Sequence, residues 1–473
     1  MDTYTKNYWS LYLDFLDIFE SLHFEGYSLP YLCHFKSLIK RNKHLNRSLH
    51  DDTIYESLYN HVINETDIQD RFDIFRDKHR SDKLNHHIDG KILFYDIYNL
   101  LRIPKTFIDE YFSPKNAMFI TEITKKRKTN STALQIQQFI QSTEKIEAKM
   151  DIINSVVKKA YQLFSKYQNH MMISDRHFQD IFIKQINKIM RRIIEVTDFL
   201  NEEQISCVVV PSTHYPECRT LVMIAQEKGI PTICLQHGII SGEIGYLPQI
   251  ANVDAVYGQF EVEWYKQKGV KDEHLEIVGH PRFDQRFLKR KVTKSFFEQK
   301  LNLDPAKKTI LIGVRGEKNI GEWRELIQIL SRKDIYNIVV RDFPNVKTHK
   351  LSKEFPNVFT AGDFQLYDVI NHVDAVVAYS STIALEAMLI GKPAFILNKH
   401  FPSYTGYFDS LGNVVQDSPL KLANKIKKYF NNKSFQNNVH NNRVKFLSFA
   451  YGNIDELSSV RLIKLIERLT STS

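Results

Sequence analysis

Val373 to Pro393 constrains this chain more than any other stretch. Val373, Val376, Val377 and Ala378 read as a short buried strand, Tyr379-Ser380-Ser381-Thr382 as a turn, and Ile383 to Ile390 as a helix stopped by Gly391 and Pro393. Free backbone N–H groups and the positive end of the dipole gather at a helix N-terminus, so a Ser-Ser-Thr entry can receive a phosphate or pyrophosphate. Glu386 follows one turn later on the same face, where a carboxylate can accept two hydrogen bonds from a ribose diol. The plain alternative is that Ser381 or Thr382 only caps the helix.

The same alternation recurs twice. SCVVVP from Ser206, TICLQHG after Pro231, DAVYG from Asp254 and LEIVGHPRFD read as strands separated by helices, which predicts a parallel sheet with right-handed crossovers. KTILIGVRGE, YNIVVRDFP, NVFTAG, the Val373 unit and PAFILN predict a second sheet of the same design. Residues 1–110 read as a mostly helical segment, and 111–284 as the first Rossmann-like domain, with Asn116 to Thr121 its first strand. A charged linker follows over 285–306, then a second Rossmann-like domain over 307–433 and terminal helices over 434–473. Two such domains face one another across a cleft at the carboxyl ends of their strands.

The chain of 473 residues, with 43% hydrophobic and 25% charged residues, has the composition of a soluble globular protein. No run of eighteen apolar residues is present, which predicts a cytoplasmic protein. Cys33, Cys207, Cys218 and Cys234 show no paired spacing and read as reduced thiols. The net charge of +9 is spread over clusters such as Lys125-Lys126-Arg127-Lys128, Arg191-Arg192 and Lys289-Arg290-Lys291. They carry no aromatic or zinc-binding motif for nucleic acid, but suit peripheral contact with an anionic membrane.

Residues with chemistry fall at strand ends. His237, in Leu235-Gln236-His237-Gly238, follows a buried strand, and an imidazole there suits proton abstraction near neutral pH; the alternative is a histidine that shapes the loop. His214, Glu217 and Arg219 lie in the loop after SCVVVP and read as acceptor-side residues, with His214 or Glu217 as a substitute base. In the second half Arg315-Gly316 and Arg341 end strands at the level of Ser380 to Thr382. Their guanidinium forks match phosphate oxygens and can neutralise a leaving nucleoside diphosphate without a metal. Consistent with that expectation, no Asp-x-Asp triplet occurs in the chain.

The order strand, Ser-Ser-Thr, Glu-Ala and Gly-Lys-Pro resembles the donor half of GT-B glycosyltransferases, above all the capsule, spore-coat polysaccharide and teichoic-acid transferases, the spore-coat type being nearest. Gly279-His280-Pro281-Arg282-Phe283-Asp284 resembles the ending of the first domain in these proteins. That likeness brings His280 and Arg282 to the hinge within reach of the donor, unless Arg282 and Asp284 simply pair. Phe343-Pro344 departs from the His-Pro of capsule-type relatives. The resemblance implies a GT-B-like α/β fold whose terminal helix returns to the first domain. It implies a metal-independent inverting transfer of a sugar from a UDP-, CDP- or CMP-linked donor, without further cofactor. The acceptor would be a cell-surface polysaccharide or lipid-linked saccharide at the inner face of the membrane, with His237 as general base. Rival readings are a CDP-glycerol-type glycerophosphotransferase, a sugar-nucleotide 2-epimerase drawing on Glu217, Glu243 and Glu386, and a non-catalytic subunit of a polysaccharide assembly.

Overall fold

The computed structural model describes residues 1–80, 89–122, 136–137, 139, 143–288, 292–333, 335–342, 349–398 and 401–471. Two parallel sheets organise it. Ile205–Val210, ISCVVV, is buried at every position, as a strand covered by helices on both faces must be. Ala375–Ala378 and Ala394–Leu397 are buried in the same way.

The first sheet runs, in spatial order, Ile136–Gln137, Ala117–Thr121, Lys91–Asp96, Ile205–Val210, Thr232–Leu235, Val253–Val256 and Leu275–Ile277. The second runs Val358–Thr360, Tyr336–Arg341, Lys308–Gly313, Ala375–Ala378, Ala394–Leu397 and Val415–Gln416. In both, the chain builds outward from its first strand in one direction and then reverses. The reversal leaves a crevice beside Lys91–Asp96 in one sheet and beside Lys308–Gly313 in the other.

Three expectations are corrected. The first strand is Lys91–Asp96, which pairs with Ala117–Thr121 on one side and Ile205–Val209 on the other, so the sheet begins inside the segment expected to precede it. The N-terminal helices are part of the first domain's core. Phe15 and Phe19 of helix Thr3–Ile18 and its end meet Phe178 and Phe182 of helix Arg176–Glu202, the Phe15 and Phe182 rings lying edge to face at 5.5 Å. The expected linker contributes Phe297 and Leu303 to the second domain's core.

Helix Lys433–Ala450 packs on the second domain through Phe435, Val439 and Phe446. Helix Ser458–Thr470 crosses back, burying Leu462, Leu465 and Ile466 against Phe94, Val209 and Leu235 of the first sheet. All four cysteines are buried free thiols. Among the described residues no helix is long and apolar enough to cross a membrane. The basic clusters at 125–128 and 289–291 and the Phe343-Pro344 pair lie outside the described residues.

Candidate active site

In the second domain the crevice is walled by two loops. Ser381, extended at φ −148° and ψ 147°, is the N-cap of helix Thr382–Leu389, yet its hydroxyl makes no capping bond. The simple capping alternative is therefore not what this side chain does. Ser380 Oγ donates to Asn398 Oδ1 at 3.4 Å, and Asn398 Nδ2 to Tyr404 Oη at 2.8 Å. Across the crevice Gly316 adopts a left-handed φ of 56°, which a glycine tolerates best. Its N–H donates to Asp342 Oδ1 at 2.9 Å, and its carbonyl accepts from His349 Nε2 at 3.2 Å. Arg315 is exposed. Arg341 is fastened by Nη1 to the carbonyls of Ala361 and Phe364 at 2.8 and 2.7 Å.

In the first domain His237 emerges just past strand Thr232–Leu235. Its Nδ1 lies 3.1 Å from the Pro211 carbonyl. A carbonyl only accepts, so Nδ1 carries the proton and Nε2 keeps its lone pair. Tyr246 stacks on the ring at 5.3 Å and 9°. Burial pushes the imidazole down to about 4; the Pro211 carbonyl opposes this, while the Arg282 and Arg102 charges add to it. The ring is therefore neutral at neutral pH. The neighbouring Gly238 faces the second domain: a Cβ there would lie 3.8 Å from Thr382 Oγ1 and 3.3 Å from Tyr246 Oη. The loop that carries His237 and the Ser-Ser-Thr turn thus meet across the interface.

The acceptor-side trio separates. His214 lies edge-on to His34, their ring centres 4.3 Å apart, and burial with the charges of His34, Arg219 and His237 holds it well below its usual range. Glu217 is buried and paired with Lys188. Arg219 is a correction. It is 1% exposed, with Nε donating to the Thr213 carbonyl at 2.8 Å and Nη1 reaching Tyr12 Oη and the carbonyls of Tyr31 and Cys33. It staples the N-terminal helices to the sheet and does not face the crevice.

At the hinge Arg282 and Asp284 do not pair. Arg282 Nη1 donates to the His237 carbonyl at 3.3 Å and Nη2 to Tyr257 Oη at 3.1 Å. Asp284 instead accepts from the backbone N–H groups of Ser458 and Ser459 at 2.9 and 2.7 Å, capping the helix that crosses back. His280 is fully buried, its Nδ1 accepting from the Arg282 N–H, and burial keeps it neutral. Glu386 is 7% exposed. Burial raises its carboxyl, while Arg282, Tyr367, Arg102 and Arg341 act in the other direction. Of the carboxylates that an epimerase would draw on, Glu243 is also engaged, accepting from Trp9 Nε1 at 2.5 Å and paired with Lys268 at 2.7 Å.

Sequence reasoning missed Arg102, Tyr246, His349, Tyr367, Asn398 and Tyr404. The available signal for Arg102 was KILFYD read as a strand, since the loop after it leads straight to that residue. Asn398 ends PAFILN, where strand-end polar residues are worth weighing.

Two Rossmann-like domains of matching strand order, joined by a hinge and bridged by a crossing terminal helix, define a GT-B-like fold. Residues 255–402 match the family model of lipid-A-disaccharide synthetase. The lipid-A-disaccharide synthase of Syntrophotalea carbinolica is 27% identical over 197 residues, 38% of this chain and 49% of the relative, so the chain spans about half the length of the curated relative it matches. The S. aureus MnaA–UDP co-structure superposes with a TM-score of 0.52 at 12% identity, over 80% of this chain and 96% of that one. The glycotransferase of kitacinnamycin does so with a TM-score of 0.52 at 9% identity, over 81% and 99%.

Proposed function

We propose that this protein is a glycosyltransferase that moves a sugar from a nucleotide-activated donor to a hydroxyl of a cell-surface polysaccharide or lipid-linked acceptor, without a metal and with inversion. The observation that carries the reading is the approach of Gly238 to Thr382, which brings the loop that carries a neutral imidazole up to a hydroxyl-rich helix N-terminus. The stretch that matches the lipid-A-disaccharide synthetase family, and the UDP held by the MnaA neighbour, agree with it.

The acceptor oxygen attacks the anomeric carbon while His237 Nε2 takes its proton. The bond from that carbon to the phosphate oxygen breaks, and its electron pair leaves on the nucleoside diphosphate. The N-terminus of helix Thr382–Leu389, with Ser380, Ser381 and Thr382, receives the diphosphate, and Arg315, Gly316 and Arg341 complete the cradle. Glu386 takes the ribose. A single displacement inverts the centre. Work at the inner face of the membrane belongs to the same proposal, because a lipid-linked acceptor resides there.

Incubating the protein with UDP-, CDP-, CMP- and GDP-linked donors and an acceptor tests it. Release of a nucleoside diphosphate with sugar transfer is expected. Release of CMP with glycerol phosphate transfer would replace it with the polyol reading. Turnover that survives intact in His237→Ala would remove the base assignment.

A further inference from the structure

We infer that Tyr98 and Tyr215 form an aromatic platform at the carboxyl edge of the first sheet, and that it seats a sugar ring of the acceptor by its C–H face. Calling that sugar the acceptor rests on the transferase reading; the platform itself does not.

Tyr98 stands in the turn that leaves the innermost strand, Lys91–Asp96, where the order of the first sheet reverses. The Leu100 N–H donates to the Ile97 carbonyl at 3.0 Å and closes the turn, with Tyr98 and Asn99 at its centre. Their φ values are 53° and 57°. Two left-handed central residues are the pattern of a type I′ turn, which favours Gly, Asn or Asp. Asn99 suits it, whereas a bulky Tyr98 is strained there. Burial does not offset that strain: Ile97 and Leu101 hold the loop down at 1% and 0% exposure, while Tyr98 between them is 60% exposed. The backbone thus holds a large ring out to solvent, where a flat apolar ligand surface would cover it.

The position and the charge select the ligand. Strands Lys91–Asp96, Ile205–Val210 and Thr232–Leu235 are parallel neighbours, so the loops carrying Tyr98, Tyr215 and His237 leave one edge in that order. Two strand spacings separate the first from the last, on the order of 10 Å, within the reach of an oligosaccharide. The Tyr98 and Tyr215 rings meet edge to face, their centres 5.1 Å apart at 63°. Tyr215 is braced in turn by His34 at 5.2 Å and His214 at 6.1 Å, both edge-on. Its loop also supplies the Pro211 carbonyl that accepts from His237 Nδ1 at 3.1 Å, which ties the platform to the imidazole. Burial pushes His34 down to about 4 and His214 well below its usual range, and raises both phenols. All four rings are therefore uncharged at neutral pH. Such a surface offers nothing to a phosphate, but matches the apolar C–H face of a pyranose, whose hydroxyls stay free at the rim.

Saturation-transfer NMR and titration calorimetry on the full chain test this, with chitobiose, cellobiose, maltose and lactose as sugar probes and UDP, CDP and GDP as nucleotide probes. At least one disaccharide is expected to bind the parent. Tyr98→Asn removes the ring and suits the left-handed backbone, so it should melt no lower than the parent yet weaken that sugar by about fivefold or more. Tyr98→Phe keeps the ring and should bind the sugar within about twofold of the parent. Nucleoside diphosphate binding is expected to be unchanged in both. Nucleoside diphosphate binding that weakens in Tyr98→Asn while sugar binding holds would give the ring to the donor base and overturn the inference. Tyr98-dependent sugar binding in a chain that binds no nucleoside diphosphate would sink the transferase reading and leave the platform standing. Parent sugar affinity in Tyr98→Asn, equal loss in Tyr98→Phe, or a parent that binds no sugar overturns the inference, and intact nucleoside diphosphate binding in those cases leaves the proposed function in place.

Discussion

A Cβ on Gly238 would lie 3.8 Å from the hydroxyl oxygen of Thr382, on the opposite domain. Whatever the Thr382 turn holds is therefore within reach of the loop that carries His237. Replacing the imidazole should leave the helix end, and so nucleotide affinity, intact. His237→Gln is expected to lower kcat by about a hundredfold or more while the Kd for the nucleoside diphosphate stays within about twofold. A base accepts a proton only when neutral, so activity should fall as pH drops through about 4, well under the usual histidine range. An acid limb near 6.5 in kcat/KM would contradict the lowered imidazole.

The same shift bears on stability. Burial leaves His237 and His34 near 4 in the folded chain against about 6.5 unfolded, so the unfolded state takes up protons first as pH falls. Their contribution is constant above about pH 7 and is lost progressively between about 6.5 and 4. Each should cost about 1 kcal/mol between pH 7 and 5.5. Chemical denaturation at both pH values should show His237→Gln losing about 1 kcal/mol less than the parent over that interval.

Tyr404 joins the two halves differently. Its backbone bridges to Gly242 of the first domain, while its hydroxyl accepts from Asn398, which in turn accepts from Ser380. The hydroxyl also donates to Asp409 Oδ1 at 2.5 Å. Tyr404→Phe keeps the bridge and removes the link to the Ser380 turn. A several-fold rise in donor KM, with kcat nearly unchanged and about 1 kcal/mol lost in stability, is expected. Equal falls in kcat and kcat/KM would point to transition-state contact instead.

How much of this was legible follows from where each residue's partners lie. The unit from Val373 to Pro393 carries its own evidence: an apolar run, a hydroxyl turn, then helix-stopping Gly391 and Pro393, all within one stretch. The place of His237 just past a strand end was legible because a buried apolar run leads into Gly238. Lys91–Asp96 was not, because the strand that fixes it as innermost, Ile205–Val210, lies far along the chain. Arg219 misled for the same reason. Its loop reads as polar and open, but it is closed by Tyr12, Tyr31 and Cys33 from the N-terminal helices.

Arg219→Met tests that correction. The variant leaves the carbonyls of Thr213, Tyr31 and Cys33 short of a donor in the core, which should cost about 3 kcal/mol or more. Urea denaturation reads the loss directly. The fraction that stays folded should keep the parent's acceptor KM, whereas a raised acceptor KM at unchanged stability would return Arg219 to the crevice.

Gly258 sets how closely the crossing chain approaches the first domain. Its backbone is extended, at φ −163° and ψ −171°, so any residue could adopt it; the constraint is space. A Cβ would stand 2.5 Å from Ala450 C and Tyr451 N and 2.7 Å from the Phe449 carbonyl oxygen, where helix Lys433–Ala450 ends and the chain turns back. Those are backbone atoms, which no rotamer change can move aside. Gly258→Ala is expected to cost about 3 kcal/mol, at the upper end of overpacking penalties. Gly321, inside helix Ile320–Ser331, has no such neighbour within 4 Å. There the same substitution removes only backbone freedom, and Gly321→Ala should be neutral or stabilising by up to about 1 kcal/mol. Opposite signs for the two variants in one denaturation series would show that contact, not glycine flexibility, fixes the crossing, and equal small changes would refute the close approach.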